Sequence, residues 1–132
     1  MKKNIFFFGL ISVLVIAGCQ NKPKTEIITI VSPQQVDDAV YNDSEIQLVD
    51  VRTKEEFLEG HLHKAQNICI TDDDFKEKVA KLDKDHPVYV YCKGGGRSAK
   101  AAQILKEMGF KEIYDMEGGL MNWQNQGLQQ ND

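Results

Sequence analysis

The stretch from Val88 to Met108, VYVYCKGGGRSAKAAQILKEM, decides how the rest of the chain is read. It opens, directly after Pro87, with a near-continuous apolar run. That is the composition of a strand buried on both faces, as strands of parallel sheets are. It closes with Ala101, Ala102, Ile104, Leu105 and Met108 recurring along one side of a helix from Ser98 to Met108, which Gly109 ends. Between strand and helix lie Cys92, Lys93, Gly94, Gly95, Gly96 and Arg97. A strand running through a glycine loop into a helix is half of a parallel α/β unit.

Outward from this unit the same alternation recurs. Strands are expected at Ile27–Val31, Ile46–Val51, Ala65–Ile70 and Glu112–Met116. Ser32 caps a helix with Pro33 at its first position, and Val36, Ala39 and Val40 follow at helical spacing. Thr53 caps a short helix through Phe57 and Leu58, stopped by Gly60. Asp72, Asp73 and Asp74 place negative charge at a further helix start, ahead of a stripe of Phe75, Val79 and Leu82. A last helical turn begins over Leu120–Trp123. Strands alternating with helices predict an α/β domain with a mainly parallel sheet. Ligands of such sheets bind beyond the carboxyl ends of the strands. Cys92 ends one strand and Asp50 lies near the end of another.

The loop has a chemistry of its own. Glycine tolerates the backbone conformations that turn successive N–H groups to one side, and such a nest binds anions. The helix that follows adds free N–H groups and the positive end of its dipole. A cysteine in that setting, beside Lys93 and Arg97, is expected to have its pKa lowered toward neutrality and to be a nucleophilic thiolate. Arg97 offers a planar fork of donors suited to an oxyanion. The competing readings are a buried structural cysteine and a surface arginine at a helix start. Neither accounts for the three glycines. A Walker phosphate loop does not fit, because the lysine after the last glycine is missing and the glycine spacing is wrong.

These residues resemble the rhodanese family. Its active-site loop is a cysteine, four residues and an arginine, commonly followed by serine, and stands here as CKGGGRS. A second family motif is similar to Asp50–Ile68, DVRTKEEFLEGHLHKAQNI. A third resembles Gly118-Gly119-Leu120-Met121-Asn122-Trp123. The three stand in the family's order and separation, so the resemblance covers about residues 27–127. It implies a five-stranded, mainly parallel sheet with helices on both faces. It also implies a sulfurtransferase in which Cys92 takes a sulfane sulfur from a donor such as thiosulfate and passes it to a thiol or cyanide acceptor. No metal and no organic cofactor is implied. Lys93, Gly94, Gly95, Gly96, Arg97 and Ser98 would then bind the substrate. Asp50 would steady the loops around the site, and Arg52 would pair with Glu56 in support. Gly118, Gly119 and Trp123 are read as packing, and His61 as a turn residue rather than a metal ligand with His63 and Cys69. Cys69, where the family often has proline, is either a small core residue or a second thiol within reach of Cys92. The rival classes are a cysteine phosphatase, whose similar cup has five residues between cysteine and arginine, and a non-catalytic module of the same fold.

The 132 residues suit one domain, with 42% apolar and 27% charged residues. The amino-terminal end stands apart. Lys2 and Lys3 precede an apolar run from Ile5 to Ile16 that is shorter than the roughly 20 residues needed to span a bilayer and has the proportions of a secretory signal. Ile16-Ala17-Gly18-Cys19 resembles a bacterial lipobox, which implies cleavage before Cys19 and lipidation of its sulfur; an uncleaved anchor is the other reading. Residues 1–18 are thus expected to be a signal peptide, 19–26 a lipidated terminus and tether, and 27–132 the domain, held outside the cytoplasm at a membrane. Loss of Lys2 and Lys3 from the 16 basic residues, against an unchanged 20 acidic ones, moves the formal charge from −4 to −6. An acidic domain lacks the basic face that nucleic acid binding requires. Replacing Cys19 with serine is expected to block lipidation and leave an unprocessed precursor, read by metabolic labelling with a fatty acid and by membrane fractionation.

Overall fold

The computed structural model describes residues 26–129. The signal and lipidation readings, and most of the tether, lie outside the described residues. Within them, five strands form one parallel sheet: β1 (Ile28–Val31), β2 (Gln47–Asp50), β3 (Gln66–Asn67), β4 (Val88–Tyr91) and β5 (Ile113–Met116), in the order β1-β5-β4-β2-β3. Every pairing is parallel. The helices are α1 (Pro33–Asn42), α2 (Lys54–Glu59), α3 (Phe75–Val79), α4 (Gly96–Glu107) and α5 (Gly119–Asn125).

Side chains of a strand alternate between the two faces of its sheet, and the core is divided accordingly. Val88, Val90 and Cys92 of the central strand and its extension join Val49, Val51 and Ile113 in one cluster, covered by Phe75 and Val79 of α3 and Ala101, Ala102 and Leu105 of α4. Tyr91, Leu48 and Met116 face the other way, against Val36 and Val40 of α1 and Leu120 and Trp123 of α5. Helices therefore cover both faces, as the sequence led one to expect. On β5, Ile113 faces α4 whereas Tyr114 and Met116 face the opposite cluster, which puts Asp115 on the α4 side.

Capping chemistry sets several boundaries. Ser32 and Thr53 each close a capping box, accepting from Gln35 and Glu56 backbone N–H groups while those residues' side chains bond back to the cap. The expected strand over Ala65–Ile70 pairs as a ladder only at Gln66 and Asn67. Beyond it the Asn67 side-chain amide donates to the carbonyls of Asp50 and Arg52, acceptors that lie along the end of β2. Helix α4 begins at Gly96 rather than Ser98, so Arg97 already belongs to its first turn. All strands point the same way, and the carboxyl ends of β2, β4 and β5 meet at one edge. That edge carries Asp50, Cys92 and the Gly118-Gly119 pair.

Candidate active site

Cys92 follows the last residue of β4 and is almost wholly buried, 1% exposed. The Gly95 N–H donates to its sulfur at 3.0 Å, and the Ser98 hydroxyl lies 3.6 Å from it. Burial raises the thiol's pKa. Hydrogen bonds from the Ser98 side chain and from the backbone N–H groups of Ser98, Gly95 and Gly94 outweigh burial and hold it below its ordinary value. The expected lowering is present, but its source differs. Oriented N–H and O–H dipoles lead it, whereas the expected source was the charge of Lys93 and Arg97; Arg97 still interacts with the sulfur through its charge.

Of the three glycines, Gly95 is the one whose conformation demands glycine: its φ of 110° lies in the left-handed region. Gly94 and Gly96 have open space where a Cβ would sit. Gly96 is the first residue of α4.

The outer side of the loop is bound to α5. Leu120 N–H donates to the Cys92 carbonyl at 2.8 Å and Met121 N–H to that of Lys93 at 3.0 Å. For this the start of α5 must lie almost on the loop. A Cβ on Gly119 would stand 2.5 Å from the Cys92 oxygen and 2.6 Å from that of Lys93. Gly119, read from sequence as packing, is therefore required where two backbones meet, whereas a Cβ on Gly118 would press on the Asn122 side chain at 2.7 Å. Trp123 is a buried core residue as expected.

The charged residues pair differently from the sequence reading. Arg52 bonds not Glu56 but Asp50, through Nε and an NH2 contact of 2.6 Å to Oδ2, and it also donates to the Gly60 carbonyl at 2.7 Å. Both partners are buried. Asp50 accepts from the Arg52 backbone N–H and side chain and meets the Tyr91 hydroxyl, which in turn accepts the Leu62 N–H at 3.1 Å. Glu56 goes to Arg97, in a two-pronged contact of 2.7 and 2.9 Å. The Arg97 guanidinium, together with bonds from Thr53, brings the Glu56 carboxyl down to about 2. The Arg97 fork thus braces the loop against α2. Lys93 lines an open cavity of about 200 Å³ whose other walls include Arg52, Glu56, Gly60 and Met121. Cys69 is a buried free thiol beside Thr71 Oγ1 at 3.1 Å. His61 stacks on Phe57. Among the described residues no group of three histidine, cysteine or acidic side chains is gathered to hold a metal.

Sequence reasoning passed over Asp115. It is 5% exposed, and its Oδ1 is the one buried side-chain polar atom without a partner among the described residues. Burial raises its pKa, and a hydrogen bond with Ser98 opposes the rise. The available signal was a carboxylate inside a strand of apolar residues, where aspartate is depleted.

Comparison with known proteins agrees with this arrangement. The family model described as "Rhodanese-like domain" matches residues 32–126. Over 77 residues the chain is 42% identical to the Uncharacterized protein YqhL of Bacillus subtilis, a match that takes in 58% of this chain and 60% of that protein. It is 35% identical over 96 residues to the Putative sulfurtransferase YtwF of the same organism, covering 73% of this chain and 90% of the relative. Against the Thiosulfate sulfurtransferase GlpE of Coxiella burnetii it is 38% identical over 79 residues, 60% of this chain and 72% of the relative. Among solved structures, the Rhodanese-like Domain Protein from Staphylococcus aureus superposes with a TM-score of 0.66 at 29% identity, covering 76% of this chain and 96% of that one.

Two outcomes follow from the geometry. Gly119→Ala should lower the melting temperature and shift the pH dependence of Cys92 alkylation to higher pH than in the wild type, because the loop loses its hold on α5 and with it the donors that lower the thiol's pKa; the left-handed backbone alone costs about 1–2 kcal/mol. Gly94→Ala, with open space at its Cβ, should leave both readings nearly unchanged. Glu56→Gln should cost about 1 kcal/mol or less, since the pair is partly solvated. The depressed Glu56 contributes stability that is fully present above the ordinary carboxyl value and is lost as pH falls toward about 2. Urea midpoints measured from mildly acidic pH down to that value should therefore fall less in the variant than in the wild type.

Proposed function

The chain belongs to the rhodanese-like domain family, and from that premise we propose that it is a sulfurtransferase that carries a sulfane sulfur as a persulfide on Cys92. The observation that carries the reading is the cup around the sulfur: a lowered thiol pKa, the Gly95 N–H at 3.0 Å and the Ser98 hydroxyl at 3.6 Å.

In this reading the Cys92 thiolate attacks the outer sulfur of thiosulfate. A bond forms between the two sulfurs, the bond within thiosulfate breaks, and its electron pair leaves on sulfite. The terminal sulfur of the persulfide takes up the negative charge, and inward N–H groups stabilise charge at a fixed point without reorganising. A nucleophilic acceptor, a thiolate or cyanide, then attacks that terminal sulfur and restores the Cys92 thiolate. The scheme is covalent and two-step. Lys93, on the cavity wall, favours an anionic donor. Arg97 keeps the loop in shape through Glu56. The relatives named for sulfur transfer support the reaction class.

The phosphatase reading is less well supported. Four residues separate Cys92 from Arg97, and a leaving group would need an acid. Asp50, the nearest carboxylate suggested by the sequence, is wholly buried and committed to Arg52. We further propose that lipidated Cys19 holds this domain at an extracytoplasmic membrane face, with small molecules rather than nucleic acid as its partners.

Intact and peptide mass spectrometry after incubation with thiosulfate should show one added sulfur, on Cys92. The Cys92→Ser protein should fold, as judged by circular dichroism, and show neither the adduct nor thiocyanate formation. Absence of the adduct in the wild type, together with ready hydrolysis of an aryl phosphate, would favour the phosphatase class instead.

A further inference from the structure

The cavity of about 200 Å³ beside the loop has four charged residues on its walls, and their charges are not answered in the same way. Arg52 and Glu56 are committed to Asp50 and Arg97, neither of which lines the cavity. Lys93 and Glu59 form no ion pair among the described residues. The walls thus keep one unanswered positive charge and one unanswered negative charge. Helix α2 gains nothing from Glu59. It is the last residue of that helix, at the end where cations are favoured, whereas Glu55 and Glu56 hold the first turn, where acids are favoured.

Arg52 adds a second positive contact. The residue is 4% exposed. Its Nε and one Nη are spent on Asp50 and on the Gly60 carbonyl. The other Nη makes no hydrogen bond among the described residues. Nor is it enclosed, since Asp115 Oδ1 is the one buried side-chain polar atom left without a partner there. A buried guanidinium, fixed by Asp50, therefore keeps an open donor at the cavity wall. Leu120 and Met121 give the same cavity an apolar side. It lies against both ends of the sulfur's loop: Lys93 directly follows Cys92, and Glu56 grips Arg97.

We propose that this cavity takes the sulfur acceptor and selects one that is itself a small zwitterion, an α-amino-acid thiol, with its carboxylate on Lys93 and the open Nη of Arg52 and its ammonium on Glu59. A thiol carrying only a carboxylate or only an amine meets half of these charges, and complementary charge is what gives such a site its specificity. The volume is below the roughly 300–1,000 Å³ of sites for drug-sized ligands, which suits a single amino acid. In the transfer the acceptor thiol gives its proton to solvent, and its thiolate attacks the outer sulfur of the Cys92 persulfide. A bond forms between those two sulfurs, the bond to Cys92 Sγ breaks, and its electron pair restores the Cys92 thiolate. The inference rests on the sulfurtransferase reading and names the class of its acceptor.

The test uses the full-length protein in two arms. In the first, Cys92→Ser, which can carry no persulfide, is titrated with L-serine, a zwitterion without a thiol, and followed by backbone amide NMR. Shifts are expected at Glu59, Gly60 and Lys93, and they should be lost when Glu59→Gln is added. In the second arm the wild-type persulfide is formed with thiosulfate, the donor is removed, and discharge is timed with L-cysteine, 3-mercaptopropionate or cysteamine. Each variant is compared with the wild type acceptor by acceptor, so that the reactivity of the thiol itself cancels. Glu59→Gln should slow discharge by L-cysteine and by cysteamine about fivefold, the scale of one partly solvated ion pair, and should not slow 3-mercaptopropionate. Lys93→Gln should slow L-cysteine and 3-mercaptopropionate by a similar factor and should not slow cysteamine. Equal slowing of all three acceptors in either variant, or no slowing, overturns the inference. So does a cavity that shows no shifts with L-serine. A wild type that forms no persulfide overturns the sulfurtransferase reading instead, and the first arm then decides by itself whether the cavity takes a zwitterion.

Discussion

The site depends on where two carbonyls point. Cys92 and Lys93 give theirs to the first free N–H groups of α5. A trans peptide is planar, with its C=O and the following N–H on opposite sides. Tying the Lys93 carbonyl to α5 therefore aims the Gly94 N–H away from α5 and toward the sulfur, where it is one of the groups that lowers the thiol's pKa. The helix start that binds the loop from outside thus orients the donors within. The same requirement explains the glycine at Gly119, since a side chain there would hold the backbones apart.

Around this loop the charged residues serve as ties between elements rather than as reagents. Arg52 joins the end of β2 to the Gly60 carbonyl after α2, and Asp50 beneath it also meets the hydroxyl of Tyr91. Arg97 joins the first turn of α4 to Glu56 on α2, while Glu56 completes the cap of its own helix through Thr53. One carboxylate thus fixes both a helix start and the rim of the cup. Because two anchored segments, α2 and α5, hold the loop from different sides, the surroundings of the Cys92 sulfur are set by the fold itself. Preorganised dipoles of this kind need no rearrangement as charge develops.

The two faces of the sheet also divide the polar groups. The ionised pair Asp50 and Arg52 lies with Tyr91 on the α1 and α5 side, and Asp115 lies with Ser98 and Cys92 on the α4 side. Alternation along β4 and β5 makes this division: Tyr91 and Cys92 are adjacent in the chain yet face opposite layers.

Local chemistry was legible in the sequence. The buried run Val88–Tyr91, the capped starts at Ser32 and Thr53 and the alternation of strands and helices require only nearest neighbours and the side-chain period, and each stands in the structure within a few residues. The lowered pKa of the Cys92 thiol was legible because a cysteine at a strand end, ahead of three glycines and a helix start, has few structural uses. Partners across the fold were not legible. Glu56 lies four residues from Arg52, a natural helical spacing, yet it bonds Arg97, 41 residues away. Arg52 turns instead to Asp50 because β2 ends beneath it. Asp115 stood out in sequence only as a carboxylate within a strand; strand order and alternation placed it on the α4 side of the sheet. Spacing along the chain determines which residues share an element and a face. Only the packing of one element on another determines which donor meets which acceptor, because hydrogen bonds and ion pairs act over a few ångströms of space and not over any fixed distance in sequence.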